Sequence, residues 1–296
     1  MKHAIIILVY HLPEQVNLFI DQILKSTNFD IYIHVDKKFE YLKDELIKDE
    51  RIFVSDKNIS IYWGTDSLLR CMLIMMQEVL DSGKEYGHIL INADNDLMVK
   101  KGIEDFLNNH LKQVFIYSKN EDRERRVFIE HRYPKYMMKQ IDFKYHPIKI
   151  LRSLRMKIIR KYPFIFKRKL AMDTSAITFF YSTFWGAIPL DVIKYVVTFA
   201  KTNDKFMQLF LGSFVAEESF MATLINMSPF KDYMKYDNRG KTYSLHHILG
   251  VENAHPLVVE MKDVEAIELS GCFFARKFDI RVDRDVVEYY HKKIVM

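Results

Sequence analysis

Three short stretches carry side chains with the types and spacing to do chemistry. In "HILINADNDLMVKK" (88–101) an apolar run ends in Asp94-Asn95-Asp96, two carboxylates one residue apart. A strand-end Asp-x-Asp can offer oxygen ligands to Mg²⁺ or Mn²⁺ on a nucleotide diphosphate. Asp and Asn also occupy turns through their own backbone hydrogen bonds, so the motif alone does not decide. In "FVAEESFMATLINMSPF" (214–230) Glu217 and Glu218 open a helical pattern whose apolar face includes Phe220, Met221, Leu224 and Ile225. Acids there suit the positive end of a helix, and burial beside a like charge raises a carboxyl towards general-base use. In "LSGCFFARKFDIRVD" (269–283) Arg276-Lys277 follows an apolar, strand-like run. Two cations at a strand end can neutralise a diphosphate; plain surface charge is the alternative.

The elements that must position these groups follow from apolar periodicity. Ile5–Val9 is a continuous apolar run, as expected of a strand covered on both faces. Pro13 opens a helix with Val16, Phe19, Ile20, Ile23 and Leu24 at helical spacing. "DIYIHVD" (30–36) and "RIFVS" (51–55) read as the next strands, and Leu68 to Leu80 as a helix behind a Gly-Thr-Asp-Ser turn. "HILIN", a short helix at 102–109 and a strand at "QVFIYS" continue the alternation. Strands separated by helices predict an α/β fold: a mostly parallel central sheet flanked by helices. Ligands in such sheets bind at the carboxyl ends of strands, where Asp36, Asp94 and Asp96 fall. The second half predicts strand and turn at 177–189, helices at "DVIKYVVTFAK" and "EESFMATLINM", and a last helix at "VDRDVVEYYHKKI".

Composition bounds the class. With 296 residues, 49% of them hydrophobic, the chain can bury a full core. A formal net charge of +5 suits an anionic ligand or membrane surface better than nucleic acid, for which no motif is present. Only Cys71 and Cys272 occur, which points to a reducing, cytoplasmic setting without a disulfide framework. "MKHAIIILVYH" is too short a run for a signal peptide or a spanning helix of about 20 apolar residues. One stretch departs from the rest: 149–169 carries Lys149, Arg152, Arg155, Lys157, Arg160, Lys161, Lys167, Arg168 and Lys169 with no acid. It reads either as a solvated helix or as a basic amphipathic segment on anionic lipid at the inner face of the cytoplasmic membrane.

Read in order, "AIIILVYHLPEQVNLFIDQI", "IYIHVDKK", "WGTDSLLRCMLIMMQEVL", "YGHILINADNDLMVKK", "STFWGAIPLDVIKYV", "EESFMATLINMSPF" and "FFARKFDIRVD" resemble the core-2/I-branching family of β-1,6-N-acetylglucosaminyltransferases and its xylosyltransferase relatives. The likeness runs almost end to end and is weakest over 118–175. It implies a GT-A-like fold in one domain: 1–117 as the nucleotide-sugar-binding half, 118–175 as a variable basic insertion, and 176–296 as the acceptor and catalytic half. It also implies inverting transfer from a UDP-sugar without a metal. The family's general base maps to Glu218, a diphosphate-binding cation to Lys277, and a second cation to Arg239 or Lys241 in "DNRGKTYS". Asp36 matches an acid at the nucleoside pocket. Where the family writes Ser-Gly-Gln-Asp-Tyr-Pro-Leu, this chain has Ala93-Asp94-Asn95-Asp96-Leu97-Met98-Val99. Asp96 is therefore the family position and Asp94 replaces a glycine, which weakens the case for Mg²⁺ or Mn²⁺ and leaves the donor sugar open.

The expected reaction moves GlcNAc or a related sugar from UDP to a hydroxyl of a saccharide or lipid-linked acceptor, in bacterial surface-polysaccharide or lipid-linked glycan assembly. Lys277, assisted by Arg276 or by Arg239 and Lys241, would stabilise the leaving diphosphate. Three other readings are a metal-dependent GT-A transferase of another family, which a chelator would silence; a non-catalytic relative that binds a nucleotide sugar without turnover; and a phosphate- or nucleic-acid-binding module using the basic stretch alone, against which the absence of a nucleic-acid motif argues.

Overall fold

A computed structural model describes residues 1–131, 134, 137, 146–252 and 255–296. A six-stranded sheet runs through the centre. Its strands are β1 (Ala4–Val9), β2 (Asp30–Val35), β3 (Ile52–Val54), β4 (His88–Ala93), β6 (Phe115–Asn120) and β7 (Phe180–Pro189), in the spatial order β3-β2-β1-β4-β7-β6. β1 to β4 are parallel, and β7 alone runs antiparallel, against both β4 and β6. Gly186 lies where β7 presses closest on β6: a Cβ there would collide with the carbonyl of Phe115. A smaller sheet sets β5 (Asp96–Met98) and β8 (His246–Ile248) either side of β11 (Phe274–Arg276). β9 (Val251–Glu252) and β10 (His255–Pro256) form a short antiparallel ribbon.

Helices cover both faces of the large sheet, which is why β1 is apolar and buried at every position and most positions of β2 and β4 are apolar too. Ile6, Leu8, Ile89 and Ile91 point to one face, where α2 (Ser67–Asp81), α6 (Leu190–Thr202), α7 (Asp204–Phe210) and α8 (Glu217–Asn226) close the core. Ile5, Ile7, Val9 and Leu90 point to the other, against α1 (Pro13–Ser26), α10 (Arg284–Val295) and the small sheet. The remaining helices are α3 (Ile103–Asn108), α4 (Asp122–Glu130), α5 (Pro147–Lys161) and α9 (Val264–Ser270). This is the expected α/β architecture: a central, mostly parallel sheet flanked by helices. The expected boundary at residue 117 falls inside β6, so the start of the 118–175 segment contributes an edge strand to the central sheet.

Two buried glutamines on α1 tie the sheets together. Gln15 donates to the carbonyls of Asp94 (3.0 Å) and Phe278 (3.2 Å) and accepts from the amide of Ile280 at 2.8 Å. One heptad on, Gln22 donates to Met98 and Tyr290 carbonyls and accepts from the Met98 amide. Each satisfies backbone groups that would otherwise be buried unpaired, so the loops after β4 and β11 are held in fixed register.

Candidate active site

The carboxyl ends of β1, β2 and β4 open into a cleft of about 200 Å³, lined by Val9, Tyr10, Asp36, Trp63, Ala93, Trp185 and Glu217 among others. The loop after β2 is built on Asp36, whose carboxylate accepts from the amides of Lys38 (2.9 Å) and Ile61 (3.2 Å) and pairs with the Lys38 ammonium. Asp36 thus sits in the cleft wall, with both oxygens holding the loop that brings Trp63 across.

Asp94 and Asp96 diverge. One oxygen of Asp94 accepts from the amides of Tyr10 (2.8 Å) and His11 (3.1 Å), and His11 Nδ1 lies 2.8 Å from it. Burial pushes its carboxyl above the usual range, opposed by His11. Asp96 turns the other way, accepting from the Ala93 amide and Asn92 and lying 3.4 Å from Arg276 Nε and 3.6 Å from His246 Nε2. Burial would raise Asp96, yet the Arg276 charge and His246 hold it below the usual carboxylate range. Among the described residues no three His, Cys, Asp or Glu converge as a metal-binding set.

Arg276 corrects an expectation. It ends β11, the central strand of the small sheet, as a strand-end cation would, but it is buried there at 5% exposure and not offered at the surface. Its Nη2 donates to Asn95 Oδ1 at 2.7 Å, its charge faces Asp96, and its guanidinium lies 3.3 Å from the Trp185 ring centre. A charge so far from water needs a partner in the fold, and Asp96 supplies it. These contacts seat Trp185 and the 94–96 turn against the cleft. Lys277, one residue on, is half-buried, and no carboxylate among the described residues pairs with it. The backbone around it is pinned, since its carbonyl accepts from the Val259 amide at 2.8 Å.

The two glutamates share a helix start but face different surroundings. Val215, held at φ 47 just before α8, donates its amide to the Gly64 carbonyl at 3.1 Å, which fixes the helix entry against the cleft loop. A β-branched residue in the left-handed region is strained, and such strain concentrates where a side chain has to be aimed. Glu217 is buried in the cleft wall, and its Oε2 has no hydrogen-bond partner among the described residues. Burial, with Glu218 beside it, pushes its carboxyl up to about 8. Glu218 keeps about a third of its side chain exposed (34%) and takes a hydrogen bond from Arg125 Nη1 at 3.0 Å. Its carboxyl is also raised, by burial, with Arg125 opposing. Arg125 in turn lies over the rings of Phe128 and Tyr181, 4.7 and 4.9 Å from their centres. The pair supplies one neutral acid facing the cleft and one held, accessible carboxylate beside it.

Arg239 and Lys241 line a separate cavity of about 570 Å³, with Lys235, Tyr117, Tyr236, Tyr243 and His246. Arg239 pairs with Asp237 at 3.2 Å, and Asp237 also accepts from the backbone amides of Arg239 and Lys241, a closed turn around Gly240 at φ 67. His246 connects this cavity to Asp96. Both cations therefore line this second cavity and not the strand-end cleft. Sequence reasoning missed Arg125, Trp185 and His246. Only Trp185 carried a signal, as an aromatic beside glycine in an expected strand; Arg125 lies in a stretch without any motif.

The fold itself uses several cations of the basic segment. Arg160 pairs with Glu124 and Lys167 with Glu130, both acids on α4. Arg168 donates to the carbonyls of Ile129, Leu209 and Leu211, and Arg152 donates to that of Met137 and lies over Trp63. The balancing groups come from elsewhere in the chain, where a local reading does not look.

No protein-family model matches the chain. Over 105 residues, 33% of its length, it is 31% identical to Xylosyltransferase oxt of Drosophila pseudoobscura pseudoobscura, and to the same extent to that of Drosophila melanogaster. The match spans 12% of each of those proteins. Among solved structures, S. aureus TarS aligns with a TM-score of 0.26 and 16% identity, covering 39% of this chain and 21% of its own, too slight a likeness to argue from. Over a third of its length, then, this chain is similar in sequence to glycosyltransferases.

Proposed function

We propose that the chain is an inverting glycosyltransferase of the core-2/I-branching type, with a GT-A-like fold. It moves GlcNAc or a related sugar from a UDP-sugar to a hydroxyl of a saccharide or lipid-linked acceptor in surface-glycan assembly. The observation that carries the reading is the Glu217-Glu218 pair at the start of α8: Glu217 lines the strand-end cleft, and Glu218 is accessible, raised above the usual range and held by Arg125. The sequence likeness to xylosyltransferases over 105 residues supports the same class.

In this reading Glu218 takes the acceptor hydroxyl's proton as that oxygen forms a bond to the anomeric carbon. The bond from that carbon to the diphosphate oxygen breaks on the opposite face, and UDP leaves with the electron pair. Inversion follows from the single displacement. Lys277 neutralises the growing negative charge, with Arg239 or Lys241 as the second cation, and Mn²⁺ or Mg²⁺ is not required. Preorganised cations aimed at developing charge are commonly the largest catalytic contribution. A carboxylate raised towards neutrality accepts a proton more readily than an ordinary one, which suits Glu218 to the task. We place donor binding in residues 1–117 and acceptor binding and catalysis in 176–296.

The experiment is a thermal-shift panel of UDP-, GDP- and CMP-sugars, because a ligand that binds only the folded state raises its stability. A UDP-sugar is expected to raise the melting temperature well above the other two classes. A shift confined to GDP- or CMP-sugars, or no shift at all, would overturn the donor assignment.

A further inference from the structure

Once the cations used by the fold are set aside, α5 keeps one face exposed, with no partner among the described residues. Ile150 is 57% exposed, Leu151 45% and Leu154 53%, and these three lie together on the first two turns. Lys157 and Lys161 continue the same face towards the helix end, and Lys149 flanks it. Among the described residues no carboxylate pairs with Lys149, Lys157 or Lys161. Just beyond, Phe164 is 74% exposed with its ring edge-on to Tyr162. An isolated exposed leucine needs no explanation, but a cluster of large apolar side chains bordered by cations and free of acids marks an interaction surface.

Charge decides the occupant. A second copy of this chain would lay an acid-free cationic face on its like, since a two-fold contact sets the same patch on both sides. A lipid bilayer with anionic headgroups meets both features at once: aliphatic side chains enter the headgroup region while lysines at the same depth meet phosphates. We propose that α5 and the turn to Phe164 dock the protein on an anionic membrane surface, with Ile150, Leu151, Leu154 and Phe164 inserted and Lys149, Lys157 and Lys161 against lipid phosphates. No helix among the described residues is long and apolar enough to cross a membrane, so this contact is peripheral. It goes beyond the transfer reaction and does not rest on it.

The test is sedimentation of the full chain with vesicles of phosphatidylcholine alone and of equal parts phosphatidylcholine and phosphatidylglycerol. Binding to the anionic vesicles only, lost in high salt, is expected. Replacing Lys149, Lys157 and Lys161 together by Gln should weaken it on the order of a hundredfold, as each cation near the surface adds about a factor of five. The surface variant Leu154→Ser with Ile150→Ser should weaken binding without changing the melting temperature, a control for folding in both sets. Equal binding to both vesicle types, no binding to either, or full binding by the lysine variant would overturn the proposal. So would concentration-dependent self-association in ultracentrifugation that Leu154→Ser abolishes, because the face would then belong to a second copy.

Discussion

Replacing Glu217 by Gln tests the burial of that carboxyl directly. Its folded pKa is pushed up to about 8 from 4.5, by burial first and the Glu218 charge second. Between those values the folded chain holds a proton that the unfolded chain has released, so wild-type stability falls as pH rises through this window. The penalty is absent below about pH 4.5 and complete above about pH 8; at about 1.4 kcal/mol per pH unit it amounts to roughly 5 kcal/mol in full and about 3 kcal/mol at pH 7. Gln cannot ionise, so the stability of Glu217→Gln relative to wild type should climb with pH at about that slope. Its unpartnered amide sets a constant offset of about 1–3 kcal/mol in the other direction, which leaves the slope untouched. The assay is urea unfolding of both proteins at steps from about pH 5 to about pH 8. Parallel stability curves would refute the reasoning, because Glu217 would then titrate as an ordinary surface acid.

Two further outcomes follow from the same geometry. Lys277→Ala should weaken UDP binding by about ten- to a hundredfold, the usual worth of a charge-assisted hydrogen bond, while excess chelator leaves wild-type transfer intact. Activity lost in chelator and restored by Mn²⁺ would contradict the cation scheme. Burial lowers the pKa of His3, His34 and His88 to about 4, so the stability they contribute is present above about pH 6.5 and lost as pH falls towards 4. Histidine resonances followed by NMR should include three with midpoints near that value, and midpoints all near 6.5 would contradict it.

Strand and helix order was legible because two-sided burial writes itself into the chain. The run Ile5–Val9 has no polar position to spare, and α1 shows its apolar stripe and its Pro13 start. The placing of Asp36 and Asp94–Asp96 at strand ends followed from that order. What stayed hidden depends on partners distant in sequence. Arg276 and Lys277 read as equivalent cations, yet one sits inside a three-stranded sheet opposite Asp96 and the other does not, a difference set by a strand pairing across 180 residues. Glu217 and Glu218 are equally alike in sequence; their different surroundings come from the helix's rotation and from Arg125 on α4. The basic segment looked unbalanced because Glu124 and Glu130 lie on α4, beyond the reach of i,i+4 reasoning.

In the proposed reaction Glu218 performs the proton transfer of a UDP-sugar displacement. The measurement closest to it pairs titration calorimetry of UDP with acceptor-dependent UDP release for wild type and Glu218→Gln. The account predicts that the variant binds UDP as wild type does while turnover falls by about a hundredfold or more, the range typical of a lost general base. Near-normal turnover in the folded Glu218→Gln protein would contradict it.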